Sequence, residues 1–212
     1  MLKSLGNGKY QTSSGKIFTE AQPKIFIARH GDNILDKKEI AAGHEQPGLI
    51  QQGKVQASHI GKEWKGKGIQ NIITSDAERS VQSARIIAKE IGAKVIQDSR
   101  LRTQDIGELA GGPNEEVKPI VKFMAMYHPD VPVAGGESFD EKNNRVEEGV
   151  KDQLEKHRGE VNAFVLHGDV EKAIRSNFGR NMKEYNKDSI EHGETAVIDN
   201  PFLHKKVYKL KQ

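Results

Sequence analysis

"KIFIARHGD", residues 24–32, is the stretch on which the reading of this chain turns. Lys24 to Ala28 form a short apolar run with β-branched and aromatic members, which reads as a buried strand. Arg29 and His30 stand at its carboxyl end, and Gly31 follows. Two readings fit these residues: a polar end to a structural strand, or a phosphate site whose histidine does chemistry. One such triplet does not decide between them.

The same pattern returns twice along the chain. "NIITS" is a second strand reaching Ser75 and leading to Arg79, and "NAFVL" is another that ends at His167 and Gly168. In open α/β sheets ligands bind beyond the carboxyl ends of the strands. Two arginines and two histidines meeting there would suit a tetrahedral oxyanion, because arginine can hold phosphate through paired hydrogen bonds. A neutral imidazole can attack phosphorus to give a phosphohistidine. Glycines at 31 and 168 would let the backbone turn sharply beside the ligand. Singly, each histidine is equally at home as a structural residue and Arg79 as a solvated one. Three segments coinciding at equivalent strand ends favour the chemical reading.

Helical patterns lie between these strands. From Gln51 onward Val55, Ile60 and Trp64 fall near one face, with Gly66 and Gly68 marking the end. Residues 77–92 carry Val81, Ala84, Ile87, Ala88 and Ile91 at amphipathic spacing, with Gly92 at the cap. "KVIQ" is a third strand. Residues 111–136 read as a lid or pocket insertion around a helix containing "VKPIVKFMAMY". A polar helix follows, with Ser138 as N-cap and Glu141 completing a capping box, and another helix begins near Val170. "TAVID" and "KVYKL" are closing strand candidates, and "KYQTSSGKIF" suggests a hairpin around residues 13–15. The alternation predicts an α/β fold, a three-layer α/β/α sandwich with a mostly parallel sheet and later strands joining as an antiparallel edge. Residues 1–212 read as one domain, with 1–23 as an N-terminal extension.

The 33 Lys and Arg against 30 Asp and Glu, net +3, are scattered along the chain, so charge does not imply nucleic-acid binding. No cysteine is present, which excludes disulfides and thiolate metal ligands. Mean hydropathy is −0.69, but the apolar segments argue against wholesale disorder. The start lacks a signal-peptide core and no run has the length of a membrane span, so a soluble, cytoplasmic chain is expected.

In order along the chain, these segments resemble the histidine phosphatase superfamily, the phosphoglycerate-mutase-like fold. "ARHG" resembles its nucleophile motif, which implies His30 as the phosphate carrier and Arg29 as its clamp. "GHEQPGLIQQGKVQA", residues 43–57, is similar to a glycine, proline-leucine and glycine-x-x-glutamine-alanine stretch of the family. "ITSDAERSVQSARIIA" makes Arg79 the second phosphate arginine, and "VLHGD" makes His167 the histidine that holds phosphate during transfer. "LRTQDIGELAG" and "GGES" resemble two further segments, so the resemblance spans roughly residues 24–198.

The resemblance implies a metal-independent phosphatase acting through a phosphohistidine on His30, with no cofactor. A phosphoglycerate-mutase-type phosphotransferase and a weakly catalytic phosphate-binding or scaffold protein are the alternatives. The implied partner is a small phosphorylated substrate, with a phosphoprotein as the second option and neither nucleic acid nor membrane. Arg29, Asn33, Arg79 and His167 are the expected phosphate or substrate contacts.

The family's usual proton-donating glutamate falls at Thr103, whose hydroxyl cannot serve as a carboxylic acid does. Glu137 and Asp105 are the first replacements to consider, with Glu108 and Asp169 behind them. Lys118, Lys122 and Tyr127 are candidate leaving-group contacts. No histidine pair shows metal-ligand spacing, which places His128, His157, His192 and His204 on surfaces or loops. His44 and His59 are left outside the chemistry, although the loop of His44 is able to approach a substrate.

Overall fold

The computed structural model describes residues 3–6, 9–11, 15, 17–19 and 24–202. Three short strands, β1 (Lys3–Gly6), β2 (Lys9–Gln11) and β3 (Ile17–Thr19), form an antiparallel sheet of their own. The expected hairpin is therefore present as the β2–β3 pair, in which Gln11 faces Ile17. Its turn residues 12–14, like "KVYKL" and His204, lie outside the described residues.

The central sheet begins with β4 (Lys24–Arg29). The chain continues through α1 (Ile34–Lys37), α2 (Gln51–Trp64), β5 (Asn71–Thr74), α3 (Glu78–Ile91) and β6 (Lys94–Gln97). After α4 (Asn114–Tyr127) and α5 (Phe139–Lys156) come β7 (Asn162–Leu166), α6 (Gly168–Arg175), α7 (Met182–Tyr185) and β8 (Thr195–Asp199). The strand order is β6-β5-β7-β4-β8, parallel except for β8, which runs antiparallel along β4.

Side chains alternate across a strand, and this alternation divides the core into two layers. Ile25, Ile27, Ile73, Phe164 and Leu166 face α5 and α6 and pack with Val146, Val150 and Ile174. Ala28, Ile72, Ala163 and Val165 face the other way, onto Ala57, Ile60, Trp64, Ala84 and Ile87 of α2 and α3. The result is the expected sandwich with helices on both faces.

Local signals place most of the helices. Gly92 ends α3 in the left-handed region at φ 75°, its N–H bonded to the Ala88 carbonyl at 2.8 Å. Ser138 and Glu141 make the reciprocal capping box of α5. Val55 departs from expectation: it is 60% exposed, because the buried face of α2 runs through Gly53, Ala57, Ile60 and Trp64. At about 100° per residue, position 55 lies roughly 140° from position 60.

Gly31 and Gly53 allow the loop that follows β4 to lie against the first turn of α2. A Cβ on Gly31 would stand 2.2 Å from the Gly53 carbonyl oxygen, and one on Gly53 would stand 2.1 Å from that of Asp32. Both neighbours are backbone, so relief requires the loop to move. We expect Gly53→Ala to cost about 1–3 kcal/mol in urea unfolding and to weaken vanadate binding at the same time. Unchanged stability and binding would show that the loop has room the close packing denies.

Candidate active site

The parallel pairing of β4 with β7 puts Arg29 opposite Leu166, and the His30 N–H continues the ladder onto the Leu166 carbonyl at 3.0 Å. Each strand then delivers its histidine to the same point. The ring centroids of His30 and His167 are 5.1 Å apart, and both rings are buried. β5 lies on the far side of β7, with Thr74 opposite Val165, so Ser75 and Arg79 at the start of α3 arrive beside them.

The Nδ1 of His30 lies 2.9 Å from the Gly31 carbonyl, which can only accept, so Nδ1 carries the proton. The lone pair is therefore on Nε2. Burial first, then the neighbouring His167 and Arg79, push the His30 imidazole well below its ordinary range, against a smaller opposing pull from Asp36. His167 is held low by burial and by Arg79 and Arg29. Ser75 Oγ, which accepts from the Ala77 N–H, lies 2.9 Å from His167 Nε2 and is free to donate to it. That arrangement leaves the proton on Nδ1, which is buried with no protein partner.

Each of the two arginines is held by acceptors in the loops around it. Arg29 donates through Nη1 to Ser189 Oγ and the Ile190 carbonyl, each at 3.1 Å, while its buried Nε has no partner. Arg79 donates to the Glu45 carbonyl at 2.7 Å, and burial lowers its affinity for its proton. With His30 and His167 they line a cavity of about 910 Å³. From residues 111–136, Asn114, Val117, Lys118, Val121, Lys122 and Ala125 of α4 line the cavity.

Several expected contacts are corrected. Asn33 is fully buried and off the cavity, because its side chain caps α1, accepting from the N–H groups of Leu35 and Asp36. Tyr127 is 64% exposed and does not reach the cavity, unlike Lys118 and Lys122. Glu137 is held by Arg145 through both carboxylate oxygens and accepts from the Asp105 N–H. Its lone pairs are taken by a structural hub in which Arg145 also binds the carbonyls of Arg100, Arg102 and Thr103. Asp105 accepts from the Gly107 N–H, and neither Asp105 nor Glu137 nor Glu108 lines the cavity.

The carboxylate that does stand at Thr103 is Asp169. Thr103 Oγ1 donates to its Oδ1 at 2.7 Å and the Gln104 N–H to its Oδ2 at 2.9 Å. Asp169 lines the cavity and its charge acts on Arg79. His192 lies in a turn, one of the two placements expected, but its ring centroid is 5.1 Å from that of His30 and its side chain is only 15% exposed. The antiparallel pairing of Ala28 with Thr195 explains this, since the entry to β8 meets the exit of β4. No local motif marks that meeting. His44 instead binds the Thr103 carbonyl at 3.0 Å, His128 and His59 are exposed, and His157 contacts Glu160.

A family profile described as histidine phosphatase superfamily, branch 1, matches residues 25–202. The chain belongs to this superfamily. Among curated histidine phosphatase relatives, a probable phosphoglycerate mutase GpmB of Yersinia enterocolitica is 32% identical over 149 residues, 68% of this chain and 69% of the relative. The Salmonella newport protein of the same description is 30% identical over the same shares. Among solved structures, Bacillus stearothermophilus YhfR has a TM-score of 0.72 at 23% identity, covering 82% of this chain and 89% of its own. A mycobacterial glucosyl-3-phosphoglycerate phosphatase with VO3 gives 0.72 at 17% identity, covering 83% and 90%. A structure titled as a putative alpha-ribazole-5'-P phosphatase from Escherichia coli gives 0.69 at 19%, covering 84% and 91%. These structural likenesses confirm the fold. No helix of the described residues is long and apolar enough to cross a membrane.

The depressed imidazoles make a pH prediction. Unfolded histidines titrate near 6.5, whereas folded His30 and His167 hold their neutral form to lower pH. Below 6.5 the unfolded chain therefore binds protons that the folded chain does not, so stability falls as pH drops from 6.5 toward the folded values. Well above 6.5, where the unfolded imidazoles are neutral as well, these two groups contribute no slope. Nitrogen-detected NMR should find both rings neutral at pH 6.5, and a midpoint at or above 6.5 for either ring would contradict the burial argument.

Proposed function

We propose that the protein hydrolyses a small phosphomonoester or phosphoramidate through a phosphohistidine on His30. The observation that carries this reading is the fixed tautomer of His30. A buried neutral imidazole with its Nδ1 proton held by Gly31 has only the Nε2 lone pair to offer. Arg29, Arg79 and the Nδ1–H of His167 stand around it as donors for the equatorial phosphoryl oxygens, where charge is greatest in transfer. The cavity volume suits a small ligand.

In the first step Nε2 forms a bond to phosphorus as the bond to the leaving group breaks. The leaving oxygen takes a proton from Asp169, which becomes a carboxylate. Water then attacks the phosphohistidine, the P–N bond breaks, and Asp169 accepts the proton that water loses. Inorganic phosphate departs and both groups are restored. The Thr103 hydroxyl and the Gln104 amide position this carboxyl. A phosphoramidate already protonated on nitrogen would need no proton in the first step.

His30→Ala should abolish phosphate release from a panel of sugar phosphates, phosphoglycerates, nucleotides and phosphohistidine, and full activity in that variant would overturn the proposal. Asp169→Asn should lower kcat/KM about 100- to 10,000-fold for alkyl phosphates. It should change little for 4-nitrophenyl phosphate, whose leaving group departs unprotonated. Equal losses on both substrates would remove Asp169 from proton transfer.

The relatives' description favours one second reading, a phosphoglycerate mutase. It requires the phosphoenzyme to return phosphate to a bound acid. Exchange of labelled phosphate between the positions of a phosphoglycerate, without net release, would establish it in place of hydrolysis.

A further inference from the structure

Phosphoryl transfer leaves His192, Asp32 and Asp36 of the cavity without a role. His192 Nδ1 lies 3.1 Å from Asp32 Oδ1, and its Nε2 lies 3.3 Å from Asp36 Oδ1. That Nε2 is buried and makes no aligned hydrogen bond. His30 is arranged alike, with Nδ1 on the Gly31 carbonyl and Nε2 free. The other oxygen of Asp36 accepts from the backbone N–H of Asn33. One donor atom from each of His30, Asp36 and His192 comes within 4.8 Å of the other two.

We propose that His30, His192 and Asp36 form a site for a divalent transition cation of the zinc type, and that its occupation excludes phosphohistidine formation. Two imidazoles and a carboxylate are donors such ions accept. Zinc bonds of about 2.0–2.1 Å in a tetrahedron set ligand atoms about 3.3 Å apart, which is the spacing of His192 Nε2 and Asp36 Oδ1. The outer partners also fit. A carboxylate on His192 Nδ1 and a backbone carbonyl on His30 Nδ1 are the contacts that orient ligating histidines. A simple ion pair between His192 and Asp36 would account for two of the three groups, but not for the imidazole of His30 turned toward them. Coordination uses the Nε2 lone pair of His30 that phosphorus would otherwise receive, so metal and phosphoryl group compete for one atom.

The test is calorimetric titration of Zn²⁺ into the full-length protein after chelator treatment, with and without saturating vanadate. We expect one equivalent to bind, vanadate to prevent it, and His192→Ala or His192→Asn to weaken it 100-fold or more. In the unmodified protein, nitrogen-detected NMR should show Zn²⁺ shifting the Nε2 signals of His30 and His192 together, a readout independent of how either variant folds. No binding at micromolar Zn²⁺, equal affinity in the His192 variants, retention of Zn²⁺ under vanadate, or unmoved His30 and His192 signals would each overturn the proposal. Binding is read without turnover, so its failure is distinct from a failure of the phosphatase reading.

Discussion

The hydrogen bond from the His30 N–H to the Leu166 carbonyl extends the β4–β7 ladder one residue beyond the strands and sets the distance between the two central imidazoles. A one-residue slip in that parallel register would turn every side chain of β4 to the opposite layer. Ile25 and Ile27 would leave the α5–α6 layer and Ala28 would leave the α2–α3 layer. The hydrophobic core thus enforces the register, and the register enforces the site. The Gly31–Gly53 contact adds the second restraint, fixing how the loop leaves the strand.

Electrostatics then divides the labour among the cavity groups. Arg79 is buried beside both rings, and burial together with the arginine charges keeps His30 and His167 neutral. Asp36 shows the opposite balance. Burial opposes its ionisation, but the adjacent His192 and His30 imidazoles and the Asn33 N–H overcome that and hold its carboxyl well below the usual range. Neutral imidazoles, guanidinium groups and the anionic Asp36 carboxylate therefore coexist within one cavity. In a low-dielectric site each is worth more than it would be in water.

The parts legible in the sequence were those written locally. The apolar runs, Gly92 and the Ser138–Glu141 box announce elements whose determinants lie within a few residues, and these appear where the pattern puts them. Arg29, His30, Arg79 and His167 are brought together because each follows a strand of one parallel sheet. The carboxylate beside Thr103 is harder to read, because Thr103 and Asp169 are 66 residues apart and meet only through tertiary packing. Glu137 looked available until Arg145, on the next helix, was seen to hold both its oxygens. Asn33 looked like a substrate contact because a capping asparagine and a binding asparagine are the same letter. His192 sits in a motif-free turn, and only the antiparallel edge strand carries it back to the nucleophile.

The central claim is that the free Nε2 of His30 becomes bonded to phosphorus. It is tested most directly by mixing the protein with a phosphate ester, quenching in base, where a phosphorus–nitrogen bond survives, and locating the phosphate by mass spectrometry and phosphorus NMR. The account predicts phosphate on Nε2 of His30, in the peptide that contains residues 24–32. Phosphate on another residue, or sustained turnover with none on His30, would contradict it.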